Sequence, residues 1–177
     1  IGNSTPRFKY GITLDAAWKG FDFSIFMQGI GKRDLWLDGC YFWGANGQGN
    51  EWQSTGFAEH WDFFRPEGDP LGANLNSYYP RVNFSGDRNT KVQTRYLQNG
   101  AYLRLKNVQL GYTLPRVWTE KAGISSVRVY VSGDNLATIT SLSKIFDPEA
   151  TGSLAGTGSG KLYPLQRVIS VGVNVNF

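Results

Sequence analysis

The residues of this sequence that best suit ligand binding are aromatic, and most fall in one long stretch without regular periodicity. Each ring offers an apolar face, and tyrosine and tryptophan add a polar atom, so such residues can stack on sugar rings or on peptide side chains. They could instead pack the stretch on itself or against a partner protein. The candidates for contact with substrate or partner are Trp36, Tyr41, Trp43, Trp52, Trp61, Tyr78 and Tyr79.

Residue types used in catalysis are present, but not in a catalytic pattern. His60 is the only histidine and no G-x-S-x-G sequence accompanies it, so a serine–histidine–aspartate triad is not indicated. Solvated loop charges are commoner than the paired acids of a glycosidase, which could in principle come from Glu51, Glu59, Asp62, Glu67 and Asp69. Cys40 is the only cysteine, which excludes an internal disulfide and a cysteine-rich metal site. We therefore expect no enzyme, no metal and no cofactor.

An acidic turn follows the fourth of the strands described below. In Asp147-Pro148-Glu149 the proline fixes a turn after Asp147, and the two carboxylates could accept backbone N–H bonds or hold a calcium ion. The turn is the favoured interpretation.

Composition favours β structure with long loops. Aromatic residues make up 15% of the 177 residues, beside 22 glycines. The net charge of +4 comes from scattered lysines and arginines, so a nucleic-acid partner is not indicated. No apolar run approaches the roughly 20 residues of a membrane helix. Because no signal-peptide pattern precedes the first strand, the sequence is interpreted as a mature protein or a piece of one.

Alternation of apolar and polar residues predicts five strands, at about 7–18, 21–30, 102–114, 127–139 and 165–177. Lys19 and Gly20 predict a tight turn between the first two. In the third strand the alternation slips by one residue, which predicts a bulge near Lys106-Asn107.

The connections between these strands alternate strictly between short and long. The long ones, at about 32–101 and 141–164, would be external loops and the short ones periplasmic turns, as in outer-membrane barrels. Trp18, Phe21, Tyr112 and Phe177 would then form an aromatic girdle at the periplasmic rim. Five strands cannot close a barrel, so a larger barrel is predicted.

Several motifs occur in a familiar order: YLRLKNVQLGYTLP, RVYVSGDNLATIT, FDPEA and YPLQRVISVGVNVNF, preceded by PRFKYGITLDAAWKGFDFSIFMQGIGKRD. This order resembles the C-terminal end of the SusC/RagA family of TonB-linked outer-membrane transporters. The likeness covers both ends of the chain and leaves out most of the 32–90 stretch.

The resemblance implies an all-β fold, the last five antiparallel strands of a 22-stranded transmembrane barrel with long external loops. The remaining barrel and the plug domain would lie outside residues 1–177. It implies import of oligosaccharides or peptides across the outer membrane of a Gram-negative bacterium. The implied partners are a SusD-like surface lipoprotein, the TonB complex acting through the plug, the barrel-assembly machinery, lipid and lipopolysaccharide.

The last residues resemble the signal that the barrel-assembly machinery recognises. Its outward residues would be Val171, Val173, Val175 and the terminal Phe177. Phe177 could also be only a rim aromatic, and both roles can hold.

The alternative is a protein of another class, a secreted soluble β-sandwich that binds carbohydrate through its loop aromatics. This alternative requires that the apolar strand faces pack on a second sheet.

Overall fold

The computed structural model describes residues 1–46, 56–83, 88–151 and 162–177, and the chain divides into two compact units. We call them the sheet unit and the loop unit. The sheet unit comprises Pro6–Lys32, Gly100–Ser141 and Leu165–Phe177. The loop unit comprises Ile1–Thr5, Arg33–Asn99 and Leu142–Pro164.

The sheet unit is one antiparallel sheet of five strands, in which each strand pairs with the next long strand along the chain. The predicted all-β antiparallel class is therefore confirmed. The last strand begins at Val168, later than the predicted 165. The strands, in spatial order, are β1 Phe8–Trp18, β2 Phe21–Gly31, β5 Tyr102–Thr113, β6 Ser126–Thr140 and β7 Val168–Asn176.

Two short connections link strands at one end of the sheet. Lys19 and Gly20 both have positive φ, 46° and 88°, which matches the right-handed twist of a two-residue hairpin turn. Between β5 and β6 the chain forms helix α2 (Arg116–Thr119) and a 3-10 turn (Glu120–Ala122).

A β-bulge lies where the alternation of the third strand slips. Phe26 of β2 pairs with Asn107 and Met27 pairs with Leu105, so Lys106 is the extra residue of β5. The register between β5 and β6 shifts at the same place. The bulge keeps the apolar residues before and after it on one face of the sheet, because an extra residue reverses the phase of alternation.

One face of the sheet is apolar across all five strands and open to the surroundings. Pairing places Ile12 opposite Met27 and Val131 opposite Val171, which puts these side chains on that face. Leu14 is 54% exposed and Val171 72%. No described part of the sheet unit forms a second sheet over this face. The β-sandwich alternative requires such a cover, which the described part of the sheet unit does not supply.

The loop unit has a hydrophobic core of its own, although its sequence lacks periodicity. Aromatic rings meet in edge contacts, with 4.8 Å between the centroids of Trp43 and Tyr96 and 5.0 Å between those of Phe42 and Trp43. Residues of both predicted external loops contribute to this core. Its buried members are Leu35, Leu37, Phe42, Trp43, Tyr79, Tyr96, Leu142 and Phe146.

Regular structure in the loop unit is short. Strand β3 (Asp34–Leu35) pairs with β4 (Gln98–Asn99), and helix α1 spans Cys40–Trp43. Two 3-10 turns follow, at Ala58–Trp61 and Thr94–Tyr96. The sequence predicted none of the strand pairing here, because two-residue strands carry no alternation to detect.

Candidate functional site

The loop aromatics divide by burial. Trp43 and Tyr79 are 1% and 4% exposed within the core, so their ring faces are not open for stacking on a ligand. Trp36, Tyr41 and Tyr78 are partly buried and pack against that core. Trp61, at 60%, is exposed. Trp52 lies outside the described residues.

Trp61 is held in place on the surface by Arg65. The guanidinium carbon lies 5.5 Å from the Trp61 ring and 4.8 Å from the Phe63 ring, and Nη1 donates to the Trp61 carbonyl at 3.0 Å. Nε donates to the carbonyl of Gly72 at 2.8 Å. A buried arginine thus fixes an exposed tryptophan through cation–π and hydrogen-bond contacts. Sequence reasoning missed Arg65, because its spacing of four from Trp61 marks no motif.

His60 links two parts of the loop unit. Its Nδ1 accepts the Phe57 N–H at 3.0 Å, so the ring proton sits on Nε2, which donates to the Phe42 carbonyl at 3.0 Å. Burial favours the neutral ring and lowers the pKa of His60. Both ring nitrogens are engaged by the backbone, and this arrangement has no place for a general base.

Glu59 joins the two predicted external loops. Its carboxylate accepts the Ser143 hydroxyl at 2.6 Å and the Lys144 N–H at 3.0 Å. Both carboxylate oxygens therefore hold the second loop against the first. Among the described residues, no group of three or more histidine, cysteine or acidic side chains is placed to hold a metal ion.

Two cavities open beside the 3-10 turn Ala58–Trp61. The first, of about 570 Å³, is lined mainly by Tyr41, Phe57 and Ile145. The second, of about 290 Å³, is also lined by Phe57, together with Trp61 and aromatic core residues. Phe57 is 37% exposed and forms a wall of both. Ile145 and Phe57 were absent from the sequence candidates, since an isolated apolar residue in a loop gives no signal.

The acidic turn is built by Asp147. Its carboxylate accepts the Glu149 N–H at 2.9 Å, and its carbonyl accepts the N–H groups of Ala150 and Thr151 at 3.0 and 3.1 Å. This is the turn geometry that an aspartate before proline favours. Pro148 is buried and accepts the Thr151 hydroxyl at 3.0 Å.

The girdle candidates lie at one end of the sheet. Trp18 pairs with Phe21, and Phe21 pairs with Tyr112 at 4.5 Å between ring centroids. Phe177 follows the last residue of β7 at the same end, where Asn176 pairs with Ser126. Phe177 is 89% exposed.

The assembly-signal candidates in β7 lie on the apolar face. Val171, Val173 and Val175 pair with valines of β6, and all three are exposed. They share this face with the girdle side chains, because opposite partners in a sheet point the same way.

The opposite face of the sheet is polar. Asp22 of β2 and Arg128 of β6 form a bidentate ion pair across the intervening β5. They meet above Gly111, where a Cβ would lie 2.5 Å from each of them. Arg128 also lies 5.0 Å from the Tyr130 ring. Such a paired network suits a wet interior face and does not suit lipid.

Comparison with known proteins identifies TonB-dependent receptors as relatives. No family model matches the chain. Over the whole chain it is 32% identical to TonB-dependent receptor P3 of Formosa agariphila and 28% identical to TonB-dependent receptor P26 of the same organism. The chain spans 17% and 18% of the length of these relatives.

Solved structures agree with these relatives. The RagAB peptide transporter matches 98% of the chain at 26% identity, with a TM-score of 0.73. The RagAB peptide importer in its open-open state matches 98% at 25% identity, with a TM-score of 0.71. The chain covers 17% of each of those chains.

Within the described residues, no helix has the length and apolar character that crossing a membrane requires. The motif order, the antiparallel sheet and the matches over nearly all of this chain agree on one assignment. Over its whole length the chain corresponds to a C-terminal segment of a SusC/RagA-like TonB-dependent receptor.

Proposed function

We propose that this chain forms the last five strands and two external loops of an outer-membrane importer, which takes up oligosaccharides or peptides with a SusD-like lipoprotein and is energised through TonB. The observation that carries the proposal is the match of 98% of the chain to the RagAB peptide transporter, at a TM-score of 0.73. The rest of the barrel and the plug would complete the transporter.

The exposed apolar face supports a location in a bilayer. Isolated in water, a face of this size would be an aggregation site. In an outer membrane it meets lipid acyl chains, while the polar face that holds Asp22 and Arg128 lines the interior. The girdle of Trp18, Phe21, Tyr112 and Phe177 would then meet lipid headgroups at the periplasmic rim.

The loop unit supports a role in binding. Its own core, with Trp43 and Tyr79 inside, gives the loops a fixed shape. Trp61 is exposed and Tyr41 lines a cavity, so these two are the loop aromatics best placed to meet substrate. Trp36, Trp52 and Tyr78 stay as candidates for contact with substrate or with the lipoprotein. A preorganised loop surface binds with less loss of conformational entropy.

No enzymatic role is proposed. The single histidine is engaged by backbone groups at both ring nitrogens. TonB, the barrel-assembly machinery and lipid are partners that belong to the proposal because the SusC/RagA resemblance implies them.

Uptake by cells tests the proposal. A strain that lacks the full-length receptor, and the same strain with the receptor restored, are given a labelled peptide digest and a labelled oligosaccharide mixture. We expect restoration to recover uptake of one mixture, and a protonophore to abolish that recovery. Uptake that is equal with and without the receptor, for both mixtures, would exclude the importer.

A further inference from the structure

We propose that the two cavities beside the turn Ala58–Trp61 form a single two-part cleft that receives two large apolar side chains of a peptide. This inference rests on the proposed import function and names the class of substrate that this site accepts. Phe57 is the wall between the two parts, since it lines both cavities.

The size of the cleft suits side chains. Its larger part has about 570 Å³ and its smaller part about 290 Å³. Pockets that hold small ligands commonly range from about 300 to 1,000 Å³. The larger part is bounded by Tyr41, Phe57, Ala58 and Ile145, and the smaller by Phe57, Trp61, Phe63 and Val82. Cavities of this size leave room for an aromatic or branched side chain against the apolar walls of each part.

Several polar side chains at the cleft are already engaged within the protein, while Trp43 Nε1 is a buried donor without a partner among the described residues and Lys144 is exposed. Both oxygens of Glu59 accept bonds from Ser143 and Lys144, and both nitrogens of His60 bond to backbone groups. Asn46 accepts the Asn83 N–H through Oδ1. A sugar that entered would lose water from its hydroxyls and would find few open partners in exchange, which costs free energy for each hydroxyl left unpaired. An apolar side chain carries no such cost.

One charged group favours a peptide over a purely apolar ligand. Lys144 lines the larger part and is exposed. Its ammonium can donate to a peptide carbonyl or carboxylate at the mouth of the cleft. A peptide places apolar side chains inside and keeps its backbone at this wet edge.

Binding to the purified full-length receptor tests the cleft. The probes are a synthetic peptide with two phenylalanines, a matched peptide with two serines in their place, and a linear glucose hexasaccharide. Phe57→Ala removes the shared wall, and we expect roughly three- to tenfold weaker binding of the phenylalanine peptide. The bond from the Phe57 N–H to His60 comes from the backbone, so this variant keeps it.

Two further variants make the result specific. Phe57→Leu keeps an apolar wall and should retain most of the affinity. Leu71→Ala removes an apolar side chain that is 57% exposed in the loop unit and lines neither cavity, and it should bind as the wild type does.

The outcomes separate this inference from the import function. Unchanged binding in Phe57→Ala, or wild-type binding of the hexasaccharide in preference to the phenylalanine peptide, would overturn the peptide cleft. In both cases the receptor still binds a ligand, so the import function stands. A wild-type receptor that binds none of the probes, and whose loss leaves uptake unchanged in cells, would overturn both.

Discussion

His60 shows how a residue that suggests catalysis serves structure instead. One ring nitrogen accepts the N–H of Phe57 and the other donates to the carbonyl of Phe42, 18 positions earlier in the chain. The first contact lies within one turn and follows from the local 3-10 geometry. The second contact joins the turn to helix α1, and no sequence pattern predicts it. Sequence reasoning could set catalysis aside but could not find this role.

The loop unit should lose stability as the pH falls below about 6.5. Burial holds the pKa of His60 below that of the unfolded chain, so the unfolded state binds the proton first. The contribution of His60 to the free energy of unfolding is complete above the pKa of His60 in the unfolded chain. It declines at lower pH until His60 in the folded protein is itself protonated. Within that window the protection factor of the Phe57 amide should fall by up to about tenfold per pH unit.

Hydrogen exchange on the full-length receptor, corrected for intrinsic rates, measures this effect. His60→Gln supplies the control, because an amide side chain can hydrogen-bond but does not titrate. The nearby carboxylate of Glu59 favours the charged ring and so opposes the lowering of the His60 pKa. Glu59→Gln should therefore increase the loss of protection at low pH. The same pH dependence in wild type and His60→Gln would assign it to other groups.

Among the strands, the bulge at Lys106 decides which side chains face outward. It compensates the one-residue slip of alternation in β5, so that Leu103 and Leu110 lie on the same face. Without it, one half of the strand would present its polar residues outward. Arg104, which donates to the Thr138 hydroxyl at 2.8 Å, is among the side chains that would turn.

Deleting Lys106 should prevent correct assembly of the sheet. The deletion moves Arg104 to the apolar face, where a basic side chain in lipid costs up to about 2–4 kcal/mol at the bilayer midplane and less toward the interface. The folded fraction of the full-length receptor is measured by its heat-modifiable mobility in outer-membrane extracts. Lys106→Ala keeps the residue count and should assemble normally. Equal assembly of both variants would mean that the bulge is not needed for the register.

The elements differ in how far the sequence predicts them, for a physical reason. Strands β1 and β7 show long alternation, because one face must be apolar along their whole length. The bulge could also be predicted from the sequence, because an extra residue shifts that alternation. The core of the loop unit could not be predicted from the sequence, because contacts such as Phe42 with Phe146 join distant positions without any periodic pattern. Burial there depends on tertiary packing alone.

Across the whole sheet unit, the apolar face and Phe177 would meet the same membrane in the proposed importer. The apolar residues of all five strands lie on one face, and Phe177 continues the outward series of β7 at the end where Trp18 and Phe21 lie. Phe177 is almost fully exposed, so the fold of this segment gains little from its ring. A role outside the fold, in assembly or at the membrane rim, would account for an aromatic side chain at this position.

Phe177→Ala separates those two roles. If the Phe177 ring is part of the assembly signal, most of the receptor should be lost from the outer membrane, while the receptor that does assemble keeps normal heat stability. Phe8→Ala is the matched control, because Phe8 is also an exposed phenylalanine on the apolar face, at 60%, in the opposite edge strand β1. Outer-membrane levels and melting of the full-length receptors are compared by quantitative immunoblotting of fractions and by heat-modifiable mobility. A loss that is equal in the two variants would exclude an assembly role specific to Phe177, since any exposed ring on this face would then matter as much.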